Sequence, residues 1–166
     1  YLLFKKHLVR LGIGIGAFLF AFFMPIKFWK KVAIIAFFAT VIFMFFIAIA
    51  GSTYGTFAKS WVVISGTSLQ PTEFAKLFLI IYLAHFFENK KSKVGDFKEG
   101  FLPFVLVSAL IAVPVLMQPD LGSCLVIATI AVVIYFVAGA NLKHLLLGGV
   151  VALFLIIIMV AAIPHV

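Results

Sequence analysis

Asp120, in Gln118-Pro119-Asp120-Leu121-Gly122, interrupts an otherwise apolar run from Phe101 to Ala138. Left in hydrocarbon, its charge would cost at least about 2.5 to 3.5 kcal/mol, so it is expected at a membrane edge, in a wet cavity or against a protein partner. Gln70-Pro71-Thr72-Glu73 repeats the arrangement earlier in the chain. In both, proline suits the first turn of a helix, where its missing N–H would be unpaired in any case, and an acid follows within that turn. Each is read as a helix N-terminus carrying an anion. Glu73 and Lys76 are three apart, share a helix face and can pair as ions. With Phe74, Ala75, Leu77 and Phe78 around them, they are either a functional pair within the membrane or a structural clamp. Glu73 also stands third after a Gln70 cap, where a capping-box acid closes its helix. Asp120 is read as second in its helix, where the macrodipole favours the ionised form. Ser123 and Cys124 follow on the same face, and Pro114 is expected to weaken or kink the preceding span. Two helix N-termini on one face offer free N–H groups to a phosphate, with Lys59 and Lys76 adding full charges. That chemistry suits an exterior pocket for a lipid-linked phosphate or pyrophosphate.

The elements that position these residues are membrane spans. The chain is 66% hydrophobic and 11% charged, with 21 Phe in 166 residues, against roughly 45 to 50% apolar usage in a soluble domain. About 17 to 25 apolar residues cross a bilayer, and segments near 8–24, 32–50, 71–87, 101–117, 119–138 and 144–163 come close. The expected fold is all-α, a polytopic transmembrane helical bundle of about six spans in one domain over 1–166. Alternate connections are Lys-rich: Lys27, Lys30 and Lys31; then Lys90, Lys91, Lys93 and Lys98; then Lys143. They outnumber Lys5, Lys6, Arg10 and Lys59 on the other side, so the positive-inside rule makes the first set cytoplasmic. Segment 51–70 and the turn at 118 then face outside, and both acid-bearing N-termini open on that exterior face. Segment 51–70, with three Gly, four Ser and three Thr, is a long exterior loop of the kind that is often functional. Its Trp61 is an interfacial anchor or a substrate contact.

Other classes are excluded. Net charge is +8, but the bases lie in short loops, with no aromatic and basic interleaving on a soluble face, so no nucleic-acid partner is expected. The single Cys124 cannot form an intrachain disulfide. Gly12-Ile13-Gly14-Ile15-Gly16-Ala17 matches a dinucleotide fingerprint but lies inside a span with no strand before it, so Gly12 and Gly16 are read as small-residue helix packing. His7, His85, His144 and His165 have no ligand spacing. No Ser/His/Asp arrangement follows from spacing, and no strand of interest is expected. With no initiating Met and no cleavable leader, the chain is read as part of a longer one.

Lys59-Ser60-Trp61, Gln70-Pro71-Thr72-Glu73-Phe74-Ala75-Lys76, Gln118-Pro119-Asp120-Leu121-Gly122 and Ala138-Gly139-Ala140 resemble the SEDS (shape, elongation, division and sporulation) family of the FtsW/RodA type. The resemblance extends over essentially the whole chain. Met24-Pro25-Ile26-Lys27-Phe28-Trp29 and Ala138-Gly139-Ala140-Asn141 look more like the division branch than the elongation branch. The resemblance implies a ten-span enzyme of the bacterial cytoplasmic membrane, of which this chain covers the second to seventh spans. It implies polymerisation of lipid II into glycan strands, together with a class B penicillin-binding protein and other membrane proteins of the division or elongation machinery. The family's Glu and Lys of Q-P-S-E-x-x-K fall on Glu73 and Lys76, and its Asp of Q-P-D-L-G on Asp120, the catalytic candidate within this chain. Its loop Trp falls on Trp61 and the basic residue two before it on Lys59. Thr72 stands for the usual Ser, Ser123 for the usual Thr, and Phe57 where Gly is common. The family's main catalytic Asp would lie beyond Val166, so the chain alone is expected to be inactive.

On this reading a growing glycan passes to a sugar hydroxyl of the next lipid II, and undecaprenyl pyrophosphate leaves. A base activates the hydroxyl, while cations or dipoles take the developing charge. Lys59 and Lys76 are assigned to phosphate. Glu73 and Asp120 orient Lys76, bind a divalent cation such as Mg or Mn, or position the acceptor, and the sequence leaves those roles open. The rival is a lipid II flippase, which needs polar groups through the middle of the bilayer; clustering of the acids at one face favours the enzyme. A scaffold for the division machinery explains Glu73, Lys76 and Asp120 worst.

Overall fold

The computed structural model describes residues 2–50, 61–64 and 67–151. Helices α1 (Leu2–Phe23) and α2 (Ile26–Ala50) are separated at Pro25 and followed by strands β1 (Val62–Ile64) and β2 (Thr67–Leu69). Then come α3 (Pro71–Lys90), a 3-10 turn (Lys91–Lys93) and a π turn (Phe97–Phe101) that runs directly into α4 (Leu102–Met117). Helix α5 (Leu121–Val137) follows, and α6 (Leu142–Val151) is the last described element. The molecule is an all-helical, polytopic membrane bundle with one small hairpin. Segments Ile26–Ile49 and Phe97–Met117 are each long and apolar enough to cross a bilayer.

Helix α3 lies at the centre, packed against α2 and α5, while α4 packs against α5 and α2. Its buried stripe is Ala75, Leu79, Leu83 and Phe87, one residue every four, the spacing that keeps side chains on a single helix face. Phe37, Val41 and Met44 of α2 meet it, as do Val107, Ile111 and Val115 of α4 and Ile127, Ala131 and Tyr135 of α5. The opposite faces are as apolar as the core: Ile35, Ile42, Leu106, Leu125 and Phe136 are all exposed. Helices apolar all round belong in lipid, where dispersion and close packing rather than water exclusion hold them together. Aromatic rings do much of that packing, with Phe37 on Tyr82 at 4.3 Å and Phe104 on Tyr135 at 4.4 Å between centroids.

The connection at the Lys-rich end is tied to this core. The fully buried Tyr135 hydroxyl donates to the Val94 carbonyl at 3.1 Å. Asp96 caps the π turn, its Oδ1 accepting from the Lys98 and Glu99 N–H groups at 2.8 and 2.9 Å. Gly100 is required here, because a Cβ would stand 1.9 Å from the Val94 oxygen.

The hairpin departs from the expectation that no strand would matter. Val62 pairs with Leu69, Val63 with Ser68 and Ile64 with Thr67, antiparallel. The β-branched run 62–64 explains the local preference, and three residues are too few for alternation to register in a sequence of apolar runs. Helix packing through Gly12 and Gly16 does not occur among the described residues, where Gly12, Gly14 and Gly16 face open space.

Candidate functional site at two helix N-termini

Helix α3 starts at Pro71 as the missing N–H dictates, with Gln70 extended in the cap position. The capping box is not formed. Gln70 gives its helix no side-chain cap, and Glu73 turns to Lys76, whose Nζ donates to its Oε1 at 2.6 Å. The pairing is asymmetric in depth: the Lys76 side chain is 18% exposed and that of Glu73 60%. Lys76 is therefore held against the bundle by a carboxylate on its outer side. Pro71 and Thr72 are fully buried beneath it, and the Thr72 hydroxyl oxygen has no partner among the described residues.

Asp120 is two positions earlier than expected, the N-cap of α5 rather than its second residue, and Pro119 precedes the helix instead of standing in its first turn. Its Oδ1 accepts from the Ser123 N–H at 3.0 Å and its Oδ2 from the Ser123 hydroxyl at 2.7 Å. The same Oδ2 accepts from Gln70 Nε2 at 3.2 Å. This last bond joins the two Gln-Pro motifs, fifty residues apart in the chain, into one site at one end of the bundle. Gln118 secures the turn from below: it is fully buried, Nε2 donates to the Met44 carbonyl at 3.2 Å, and Oε1 has no partner among the described residues. Helix α4 continues through the buried Pro114 to Met117 and delivers the chain to that turn.

The arrangement thus offers one half-buried ammonium, two helix N-termini locked side by side and two buried polar oxygens awaiting donors. Helix N-termini can donate N–H groups to an anion, but Lys76 is already paired with Glu73 and Asp120 adds a second carboxylate, so an anion here would need a further cation. Nor does the arrangement by itself make a divalent-cation site. Asp120 already accepts three hydrogen bonds, Glu73 is bound to Lys76, and no group of three or more His, Cys, Asp or Glu side chains converges among the described residues. Trp61 is partly buried just before β1, and Lys59 lies outside the described residues. The sequence missed Gln70 and Gln118 as tethers; the signal was a Gln before a Pro in both motifs.

A polytopic helical membrane protein with paired Gln-Pro helix starts at one end is the class defined by this fold and site. The chain matches, over residues 1–165, the FtsW/RodA/SpoVE family, described as a cell cycle protein, and it belongs to that family. It is 30% identical over 152 residues to the probable peptidoglycan glycosyltransferase FtsW of Trichlorobacter lovleyi, covering 90% of this chain and 39% of that protein. It is 31% identical to the stage V sporulation protein E of Bacillus subtilis, covering 90% and 41%. The fold is similar to the crystal structure of the rod shape determining protein RodA of Thermus thermophilus, with a TM-score of 0.72 and 28% identity over 88% of this chain and 48% of that one. A chain of a peptidoglycan synthase complex shares the fold at a TM-score of 0.76 and 23% identity, covering 96% and 47%. The chain therefore spans about two fifths of the curated relatives it matches.

Proposed function

We propose that the protein to which this chain belongs is a peptidoglycan glycosyltransferase of the bacterial cytoplasmic membrane. It polymerises lipid II into glycan strands during division or elongation, beside a class B penicillin-binding protein. The observation that carries this is the Gln70–Asp120 bond, which closes two exterior helix N-termini around the Glu73–Lys76 pair. Family membership and the glycosyltransferase names of the relatives support it. In this reading Glu73 orients Lys76 toward the pyrophosphate of the bound lipid, where an ammonium in a low-dielectric site stabilises charge as it develops on the leaving group. Asp120 holds Gln70 and the start of α5 so that both helix dipoles point at that charge. Lys59 adds a second cation and Trp61 a stacking surface for substrate. The flippase reading finds no ionisable side chain in the middles of α2 and α4, although α1 carries Arg10 and α3 carries Tyr82 and His85.

The test is polymerisation of labelled lipid II by the full-length protein with its penicillin-binding partner, that partner's transpeptidase disabled. Wild type yields long strands, and folded Asp120→Ala and Glu73→Ala proteins do not. Absence of polymer, with lipid II instead crossing vesicle bilayers in an Asp120-dependent way, would replace the enzyme by the transporter.

A further inference from the structure

We propose that the Lys-rich end of the bundle, opposite the site at Gln70 and Asp120, is a binding site for the phosphate headgroup of an anionic phospholipid. A cavity of about 480 Å³ lies there between α2, α3 and the turns that follow α3. Lys90, Lys91 and Lys93 line one part of it, and Ile34, Tyr82 and Phe86 another. Glu99 is the only acid in its lining, and it is shared: Lys93 lies 2.7 Å and Lys90 3.5 Å from its two oxygens. Lys91 has no acidic partner among the described residues, so the cavity keeps an uncompensated positive charge.

Two further details single out an anion. Lys91 caps α3 with φ 46° and ψ −116°, a positive-φ backbone that favours glycine. A lysine held there keeps its amine in the cavity wall at a conformational cost, the kind of strain that clusters at binding sites. His85 also lines the cavity. Asn89 Nδ2, which can only donate, lies 3.3 Å from its Nε2 and 3.0 Å from its carbonyl. The ring's Nδ1 is buried without a partner among the described residues. The unshared Lys91 ammonium matches a phosphodiester oxygen.

The apolar wall selects a lipid over a free phosphate. Ile34, Tyr82 and Phe86 sit on α2 and α3, where an acyl glycerol backbone would run beside the headgroup. Basic pockets between spans on the cytoplasmic side recognise anionic headgroups in this way, and the positive-inside rule puts this end in the cytoplasmic leaflet. The proposal does not depend on the glycosyltransferase reading.

The test is native mass spectrometry of the full-length protein titrated with phosphatidylglycerol, phosphatidylcholine or inorganic phosphate. Wild type retains one phosphatidylglycerol, and each lost lysine weakens retention about fivefold. Lys91→Gly is the decisive variant, because it relaxes the cap while deleting the amine: it melts no lower than wild type and yet retains less lipid, and Lys93→Gln compounds the loss. Lys27→Gln with Lys31→Gln, which removes equal charge from the same end outside the cavity, leaves retention unchanged. Equal weakening by that control would mean diffuse surface attraction and overturn the site. So would equal retention of phosphatidylcholine, or no lipid on wild type because the rest of the protein fills the cavity. Displacement of the lipid by inorganic phosphate at similar concentration would make free phosphate the ligand instead.

Discussion

Replacing Asp120 by Ala tests whether the two helix starts are energetically one site. The carboxylate accepts two bonds from Ser123 inside the first turn of α5 and one from Gln70 across to α3. Loss of an N-cap acceptor costs about 1 kcal/mol. The bond from Gln70 is charge-assisted but long at 3.2 Å and only part-buried, which puts it near the lower end of the roughly 1.5 to 3 kcal/mol range for bonds to charged groups. Asp120→Ala should therefore destabilise the full-length protein by about 2.5 kcal/mol. The informative quantity is the coupling with Gln70→Leu. Side-chain hydrogen bonds in a bilayer average about 0.6 kcal/mol in double-mutant cycles and reach about 1.7, and a carboxylate acceptor belongs in the upper half, near 1 kcal/mol. The assay is a cycle of wild type, both single variants and the double variant, unfolded reversibly in bicelles. A Gln70–Asp120 coupling of zero within error, with a normal cap loss for Asp120→Ala alone, would refute the joined site and leave two independent helix caps.

Two further outcomes follow from the Lys-rich connection. Tyr135→Phe removes the bond to the Val94 carbonyl and leaves that buried oxygen unpaired; it should cost about 1 to 2 kcal/mol, read as faster amide hydrogen exchange around residues 94–101, while Phe104→Leu, which removes a ring neighbour and no hydrogen bond, speeds exchange more diffusely. The Glu99 N–H, and then the Lys98 N–H, hold the Asp96 carboxyl below the usual carboxylate range. Because its folded value is depressed, the stability it contributes is complete above the unfolded carboxylate value and disappears as pH falls through the folded one. Asp96→Asn keeps an acceptor but cannot titrate, so its melting temperature should lack that part of the acid-side decline; an unchanged pH profile would remove the cap from the account.

Much of the architecture was legible because lipid imposes a simple rule: a long apolar run must be a helix, since no water is present to satisfy an open backbone. Proline then marked the start of α3, as its missing N–H allows, whereas Lys27, Lys30 and Lys31, expected in a connection, lie in the first turns of α2. The candidate site was half legible. Glu73 and Lys76 meet because three residues on a helix is a local distance. Gln70 and Asp120 meet only because α3 and α5 pack side by side, and nothing in either motif alone encodes that. The capping box failed on both sides, for different reasons. Gln70 gave way to a tertiary bond across the bundle, whereas Glu73 was taken by a local one, from Lys76 one turn on. The shift of Asp120 from second residue to cap is a two-residue move, within the ordinary one- to two-residue uncertainty of helix ends.

Helix α5 is fastened at both extremes. Its cap is bonded to α3 at the Gln-Pro end, and the Tyr135 hydroxyl near its last turn is bonded to the connection that leads into α4. With seventeen residues at about 1.5 Å each, it is a strut of about 25 Å between the two faces of the membrane. A strut pinned at its ends cannot slide or rotate without breaking a bond at one of them. Any partner that grips the Lys-rich connection thereby holds a lever whose far end is the carboxylate between the two helix starts.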